Sequence, residues 1–140
     1  APPFPNDTKV LEAIENGTCA VGIVNTYYLA GILSQNPNFA VGIRFANQGM
    51  GGAHVNGSGI GVAATSKQAA LATQFIEHLL TDGAQLALTA GHFEYPAKLG
   101  LAPSTLIQAW GPFEASGDSW ENIGNRAAEA KTLMNRAGYR

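Results

Sequence analysis

The stretch of sequence that decides the fold is Val21-Gly22-Ile23-Val24-Asn25-Thr26-Tyr27-Tyr28. Its first half is a short apolar run, which predicts a buried β-strand. The residues from Tyr27 to Leu33 are typical of a short helix. A strand that leads directly into a helix ends at the edge where open α/β sheets bind their ligands. Asn25, Tyr27 and Tyr28 are therefore predicted to lie at a binding crevice.

Helix signals precede this stretch, and a second apolar run follows it. Asn6-Asp7-Thr8 predicts the start of a helix that Asn16-Gly17 ends. Phe39 to Ala46 predicts a second strand beside the first, because its apolar residues fall on one face. The order helix, strand, helix, strand predicts an α/β fold.

The second half of the chain is predicted to be mainly helical. One helix over 65–80 is expected to begin at a capping box of Thr65 and Gln68, and the next at a capping box of Asp82 and Gln85. A last helix is expected from about residue 125 to residue 137. The glycine-rich stretch 49–61 has the spacing of no phosphate-binding loop, and it predicts a strand or crossover that needs glycine.

Composition excludes several classes of protein. The chain has 140 residues with 8 Lys+Arg against 10 Asp+Glu, so it carries no basic excess for binding nucleic acid. A hydrophobic share of 46% argues against disorder. No apolar run reaches the roughly 18 residues of a membrane helix. Cys19 is the single cysteine and cannot form an internal disulfide. The three histidines stand apart and no serine lies in a nucleophile elbow, so the sequence predicts no enzyme.

The chain begins with Ala1-Pro2-Pro3-Phe4-Pro5 and contains no signal peptide. Three prolines in five residues predict a stiff, extended entry segment. Two origins are consistent with it: a mature N-terminus left after processing, or the cut end of a longer protein.

Tyr27 and Tyr28 suggest a specific chemistry. Phenolate is a hard oxygen ligand, and a highly charged cation such as Fe(III) prefers hard donors. The charge of that ion can drive proton loss from a hydroxyl whose ordinary pKa is about 10. The alternative is that both residues simply belong to an amphipathic helix, with one ring in the core.

A set of short motifs carries a resemblance to a known family. They are, in order, Asn6-Asp7-Thr8, Glu15-Asn16-Gly17, Val21 to Asn25, Tyr27-Tyr28, Gly51-Gly52-Ala53-His54-Val55-Asn56, Ser58-Gly59, Ala84-Gln85, Glu94-Tyr95-Pro96 and Trp110-Gly111-Pro112-Phe113. With these motifs the sequence resembles the C-terminal half of bacterial periplasmic ferric-iron-binding proteins, the solute receptors of iron ABC importers.

The resemblance implies roles for four residues. Tyr27 and Tyr28 match the paired tyrosines that bind Fe(III), and Asn25 matches a contact to a synergistic anion such as carbonate or phosphate. Asp7 stands where the family has a second anion-binding Asn, and its carboxylate would repel an anion unless it is protonated or bound to the cation. The sequence also departs from the pattern at Met50-Gly51, where many relatives have an Arg, and at Gly91-His92-Phe93, where an Asn is common.

The resemblance also implies a type II periplasmic-binding-protein fold, in which hinge strands join two α/β lobes. The N-terminal half is expected to be missing and to supply further iron ligands. Residues 1–57 are expected to belong to lobe two, residues 58–108 to supply lobe-one elements, and residues 109–140 to return to lobe two.

The implied function is delivery of Fe(III) to an ABC importer permease, in the periplasm or as a lipoprotein on the outer face of the cytoplasmic membrane. The alternatives are a receptor for another small anion, polyamine or phosphorylated solute, and a metabolite-sensing regulatory effector domain. Because severed sheets would expose apolar surface, the fragment is expected to dimerise, to swap domains or to bind its missing half.

Overall fold

The computed structural model describes residues 3–139, which form seven helices and fold into two compact units. The helices are α1 (Asp7–Glu15), α2 (Thr26–Gln35), α3 (Ala69–Leu79), α4 (Asp82–His92), α5 (Thr105–Gln108), α6 (Trp120–Asn125) and α7 (Ala127–Arg136). Residues 3–24, 44–55 and 113–139 form the first unit, and residues 25–43 and 56–112 form the second.

The first unit contains α1, α6 and α7. The side chain of Asn6 accepts a hydrogen bond from the Lys9 N–H, which satisfies one of the amides left unpaired at the start of α1. Leu11 and Ala13 are buried on one face of this helix. Farther along the chain, α6 packs against α7. The N-cap of α6 is Ser119, whose side chain accepts a hydrogen bond from the Asn122 N–H.

Two distant segments of the first unit are joined at Ala53 and Ala115, which form an isolated parallel bridge. The Ala53 N–H donates to the Glu114 carbonyl and the Ser116 N–H donates to the Ala53 carbonyl, each at 2.8 Å. Beside the bridge, Phe45 stacks on Phe113 with ring centroids 4.2 Å apart. Aromatic stacking and two backbone hydrogen bonds therefore hold residues 44–55 against residues 113–116.

The second unit contains the helices α2, α3, α4 and α5. Within it, α2 packs against α5 and α3 packs against α4. Its buried apolar residues are Leu29, Ala30, Phe39 and Ile107.

The two predicted strands are wrong for this structure. Among residues 3–139 no strand is formed, and Val21 and Ile23 are 84% and 97% exposed. A strand is held by backbone hydrogen bonds to a neighbouring strand, and the backbone of residues 21–24 makes none to any described segment. An alternation survives farther along, where Val41, Ile43 and Phe45 are half-buried and the residues between them are exposed.

Both predicted capping boxes are also wrong. The helix expected from Thr65 begins at Ala69, and the Gln68 N–H instead bonds the side chain of Ser66. The cap of α4 is Thr81, whose hydroxyl accepts from the Ala84 N–H, while Gln85 is buried. The helix expected from about residue 125 to residue 137 is confirmed as α7 (Ala127–Arg136), and α6 precedes it with Arg126 between the two.

The described part of the chain contains no helix that is both long enough and apolar enough to cross a membrane. The two compact units are pieces of this chain, whereas the lobes expected from the sequence belong to an intact receptor. The lobe boundaries after residues 57 and 108 therefore stay a prediction.

Candidate metal centre

The tyrosine pair lies in the first turn of α2. Asn25 is the N-cap residue, with an extended backbone at φ −73° and ψ 140°, and the helix begins at Thr26. The Tyr28 N–H donates a hydrogen bond to the Asn25 carbonyl at 3.3 Å. The sequence prediction that the pair stands at a helix start is thus correct, although the residues before it form no strand.

The two rings lie against each other. Their centroids are 4.6 Å apart and their planes are inclined by 36°. Successive residues of a regular helix point about 100° apart, so contact between neighbouring rings means that both lean toward one side of the turn. Tyr27 is half-buried and Tyr28 is 36% exposed. The pair therefore forms one aromatic surface at the helix start, with solvent access at Tyr28.

The residues after the pair anchor the helix. Leu29 and Ala30 are 2% and 0% exposed, and α5, against which the helix packs, contributes Ile107 at 1% exposed. Burial of a Leu or Ile side chain stabilises the fold by roughly 1.5–3 kcal/mol. The turn that carries the tyrosines is thus attached to the best-buried part of the second unit.

The start of α2 also favours negative charge electrostatically. Free amides at a helix N-terminus and the aligned peptide dipoles carry a partial positive charge, which stabilises an anion in the first turn. A phenolate formed at Tyr27 or Tyr28, or a small anion bound beside Asn25, would benefit from this field.

A third tyrosine of the second unit, Tyr95, is partly buried. Partial burial raises the pKa of Tyr95 above its ordinary value of 10.0, because desolvation disfavours the phenolate. Its segment follows α4, whose C-cap Phe93 adopts the left-handed conformation at φ 58°. Loss of a proton from Tyr95 is therefore opposed by its surroundings.

The other residues considered for the site lie elsewhere. Asp7 is the first residue of α1, in the first unit, and is half-buried. His54 is exposed in the same unit, with its ring 6.5 Å from the ring of Trp120 in an edge arrangement. Within residues 3–139, no three His, Cys, Asp or Glu side chains are grouped so that they could hold a metal ion. The anion role predicted for Asp7 stays a prediction.

Sequence reasoning missed a pair of buried polar side chains in the second unit. Gln85 and Thr89 on α4 are 7% and 3% exposed. The sequence predicts a capping role for Gln85. Thr89 gives no local signal, because its hydroxyl bonds to backbone groups 5 and 15 positions away.

Comparison with known proteins identifies the family. The family of bacterial extracellular solute-binding proteins matches residues 3–115. The chain belongs to this family. It is 35% identical over 144 residues to iron uptake protein A1 of Synechocystis, covering 99% of the chain and 40% of that protein. Membership makes the chain part of a solute-binding protein and not an enzyme, as the sequence predicted.

Solved structures give the fold. The structure of the Trichodesmium protein IdiA (FutA) in complex with iron and citrate matches with a TM-score of 0.90 at 33% identity, covering 100% of this chain and 46% of that one. The apo ferric ion-binding protein A of Pasteurella haemolytica matches with a TM-score of 0.89 at 31% identity, over 97% and 44% of the two chains. The prediction of a type II solute-binding fold is confirmed, and the chain spans less than half the length of these relatives.

Proposed function

We propose that the chain is part of a receptor that binds ferric iron through the phenolates of Tyr27 and Tyr28 and delivers it to an ABC importer. The observation that carries this proposal is the contact between the two rings at the start of α2, 4.6 Å between centroids. It occurs in a chain whose fold matches, along its whole length, a structure that contains iron and citrate.

The chemistry of the pair suits the cargo. Two phenolates are hard donors, and together they cancel two of the three charges of Fe(III). The helix N-terminus stabilises the phenolates while the site is forming. Protonation of the phenolates, or reduction of the iron, would weaken these bonds and release the cargo.

Two tyrosines do not complete the coordination of an octahedral cation. The remaining ligands are proposed to come from the rest of the receptor and from a synergistic anion such as carbonate, phosphate or a carboxylate. Asn25 is proposed to contact this anion, and Asp7 is proposed as a second anion-binding residue. The receptor is proposed to act in the periplasm or at the outer face of the cytoplasmic membrane.

The test uses the full-length receptor that contains this chain, with Fe(III) supplied as its citrate complex. A phenolate bound to Fe(III) is expected to produce a visible charge-transfer band. Tyr27→Phe and Tyr28→Phe each remove one donor and keep the ring. We expect each change to shift or abolish the band and to weaken iron binding more than about 100-fold, since outer-shell partners alone are worth about 10–100-fold.

Tyr139→Phe is the matched control, because Tyr139 is 56% exposed at the far end of the chain. It should leave the band and the affinity unchanged. A double variant Tyr27→Phe, Tyr28→Phe that binds iron as tightly as the wild type would refute the proposal and assign both rings to packing.

A further inference from the structure

The buried polar residues of α4 extend this picture. We propose that Thr89 is a positioning residue for the Tyr27–Tyr28 pair, which it holds in place through α5. This inference rests on the function proposed above, and it concerns a residue that makes no contact with the metal.

One hydroxyl joins both ends of a loop. Thr89 Oγ1 donates to the carbonyl oxygen of Glu94 and accepts from the Ser104 N–H at 3.3 Å. Gln85 holds the middle of the same loop, since its Oε1 accepts from the Ala97 N–H at 2.8 Å. Its Nε2 donates to the Leu79 carbonyl at 2.7 Å, at the end of α3. Residues 94–104 are therefore attached to α4 by its two buried polar side chains.

The loop leads directly into α5. Ser104 is the residue before this helix, and its carbonyl accepts from the Gln108 N–H at 2.9 Å. The Ser104 hydroxyl is buried and has no hydrogen-bond partner among the described residues. The backbone N–H that donates to Thr89 is thus the polar contact that fixes Ser104 to α4.

The position of α5 depends on such anchors. A helix of four residues is far below the length at which helices are stable alone, so its place is set by what holds its ends and by burial. The helix α5 packs against α2; the buried residue of α5 is Ile107, and those of α2 are Leu29 and Ala30. These two directly follow the tyrosines, so a displacement of α5 would move the turn that carries the donors.

Metal sites tolerate little displacement. Ligands work when they are held within about 0.5 Å of the productive geometry by the surrounding residues. Loss of the Thr89 hydroxyl leaves the Ser104 N–H and the Glu94 carbonyl without this partner, and the loop and α5 should shift or loosen. We therefore expect an effect on iron of the size seen for outer-shell partners, about 10–100-fold in affinity.

The experiment compares three variants in the full-length receptor with Fe(III) citrate. Thr89→Val keeps the shape and removes the hydroxyl, and Thr89→Ser restores a hydroxyl. Thr73→Val is the matched control, because Thr73 is exposed on α3 and its hydroxyl only donates to the Ala69 carbonyl at 3.0 Å. The readouts are iron affinity, the wavelength of the charge-transfer band, and amide hydrogen exchange in the first turn of α2 without iron.

Thr89→Val should lose about 10–100-fold in affinity, shift the band and speed exchange at Tyr27 and Tyr28. Thr89→Ser should recover most of each loss, and Thr73→Val should behave as the wild type. If Thr89→Val lowers only the melting temperature, with affinity, band and exchange unchanged, Thr89 is merely structural and the inference is overturned.

Two further outcomes are distinguishable. A wild-type receptor without a band contradicts the proposed function, and the exchange measurement still decides whether Thr89 orders the first turn of α2. Should Thr89→Val fail to fold, Ser104→Pro removes the backbone donor together with a hydroxyl that has no hydrogen-bond partner among the described residues, and φ at Ser104 is −56°, which suits proline. Unchanged affinity and exchange in that variant would equally overturn the inference.

Discussion

Gln48 and Glu114 exchange two hydrogen bonds although they are 66 positions apart in the sequence. Gln48 Nε2 donates to the Glu114 carbonyl at 3.0 Å, and the Glu114 N–H donates to Gln48 Oε1 at 2.6 Å. The Glu114 carboxylate in turn accepts from the Gly49 N–H at 2.8 Å. The side-chain amide of Gln48 thus pairs with the backbone N–H and carbonyl of Glu114, as a residue of a neighbouring strand would. This pairing lies directly beside the Ala53–Ala115 bridge.

Replacing this amide should destabilise the protein. Gln48→Ala removes the two hydrogen bonds to the Glu114 backbone, each worth about 0.5–1.5 kcal/mol, together with a local one from Nε2 to the Ala46 carbonyl at 3.0 Å. We expect the free energy of unfolding of the full-length receptor to fall by roughly 1–3 kcal/mol, measured in urea. Gln108→Ala is the control, since its side chain donates locally to the Pro103 carbonyl and is exposed. Equal effects of the two changes would show that the 48–114 pairing contributes nothing of its own.

Gly52 should not tolerate a side chain. Its φ is +82°, and a Cβ there would lie 2.5 Å from the backbone carbon of Ala115. Gly49 also has a positive φ, +73°, but a Cβ there would meet nothing within 4 Å. Gly49→Ala should therefore cost only the conformational penalty of about 1–2 kcal/mol, and Gly52→Ala clearly more. Urea unfolding measures both, and a Gly52→Ala variant no less stable than Gly49→Ala would contradict the close approach.

Local signals in the sequence predicted local structure well. Asn6 and Asn16-Gly17 mark the ends of α1 correctly, and the tyrosine pair is found at a helix start as expected. The strands could not be predicted in the same way, since Val21 and Ile23 form a strand only beside a partner that residues 3–139 do not provide. Long-range pairs such as Gln48 with Glu114 leave no local pattern at all.

The same limit applies to the candidate metal centre. The chemistry of Tyr27 and Tyr28 is readable from residue type and spacing. Their proposed support is not readable in this way, because it depends on the hydrogen bond between Thr89 and Ser104 and on the packing of α5 against α2, which join residues far apart in the sequence. A threonine inside a helix with no charged neighbour gives no sign that its hydroxyl holds a loop.

Asn25→Ala tests the proposed anion contact. Removing the amide should weaken iron binding less than the loss of a tyrosine, by roughly 10-fold, since it acts as an outer-shell partner. The loss should depend on which anion is supplied, so iron affinity is measured in carbonate, phosphate and citrate. An equal loss in all three anions, or none, would contradict an anion contact at Asn25. Asn38→Ala, at an exposed asparagine of the same unit, serves as the control.

Tyr95 should make stability depend on alkaline pH. Burial raises its pKa above 10.0 in the folded protein, so the folded state holds the proton more tightly than the unfolded chain does. This contribution is fully present below the unfolded pKa and is lost as the pH rises through the folded pKa. The free energy of unfolding of the wild type should fall above about pH 10, where Tyr titrates, and Tyr95→Phe should make this fall smaller. Tyr139→Phe should show the same fall as the wild type, since Tyr95 is still present. Identical pH profiles for the two variants would exclude a contribution from Tyr95.

Association of the 140-residue chain should depend on its exposed extended segment. Ile23 and Leu99 are both 97% exposed, but Ile23 lies in an extended run with Val21, which is 84% exposed. An extended segment with free edges can pair with another chain, whereas a single exposed leucine gives no such template. The chain alone is therefore expected to self-associate in light scattering or sedimentation. Ile23→Lys should reduce this association and Leu99→Lys should not, because a charge on an edge opposes pairing. A wild-type chain that stays monomeric at high concentration, or equal effects of the two lysines, would mean that residues 21–24 are not the contact.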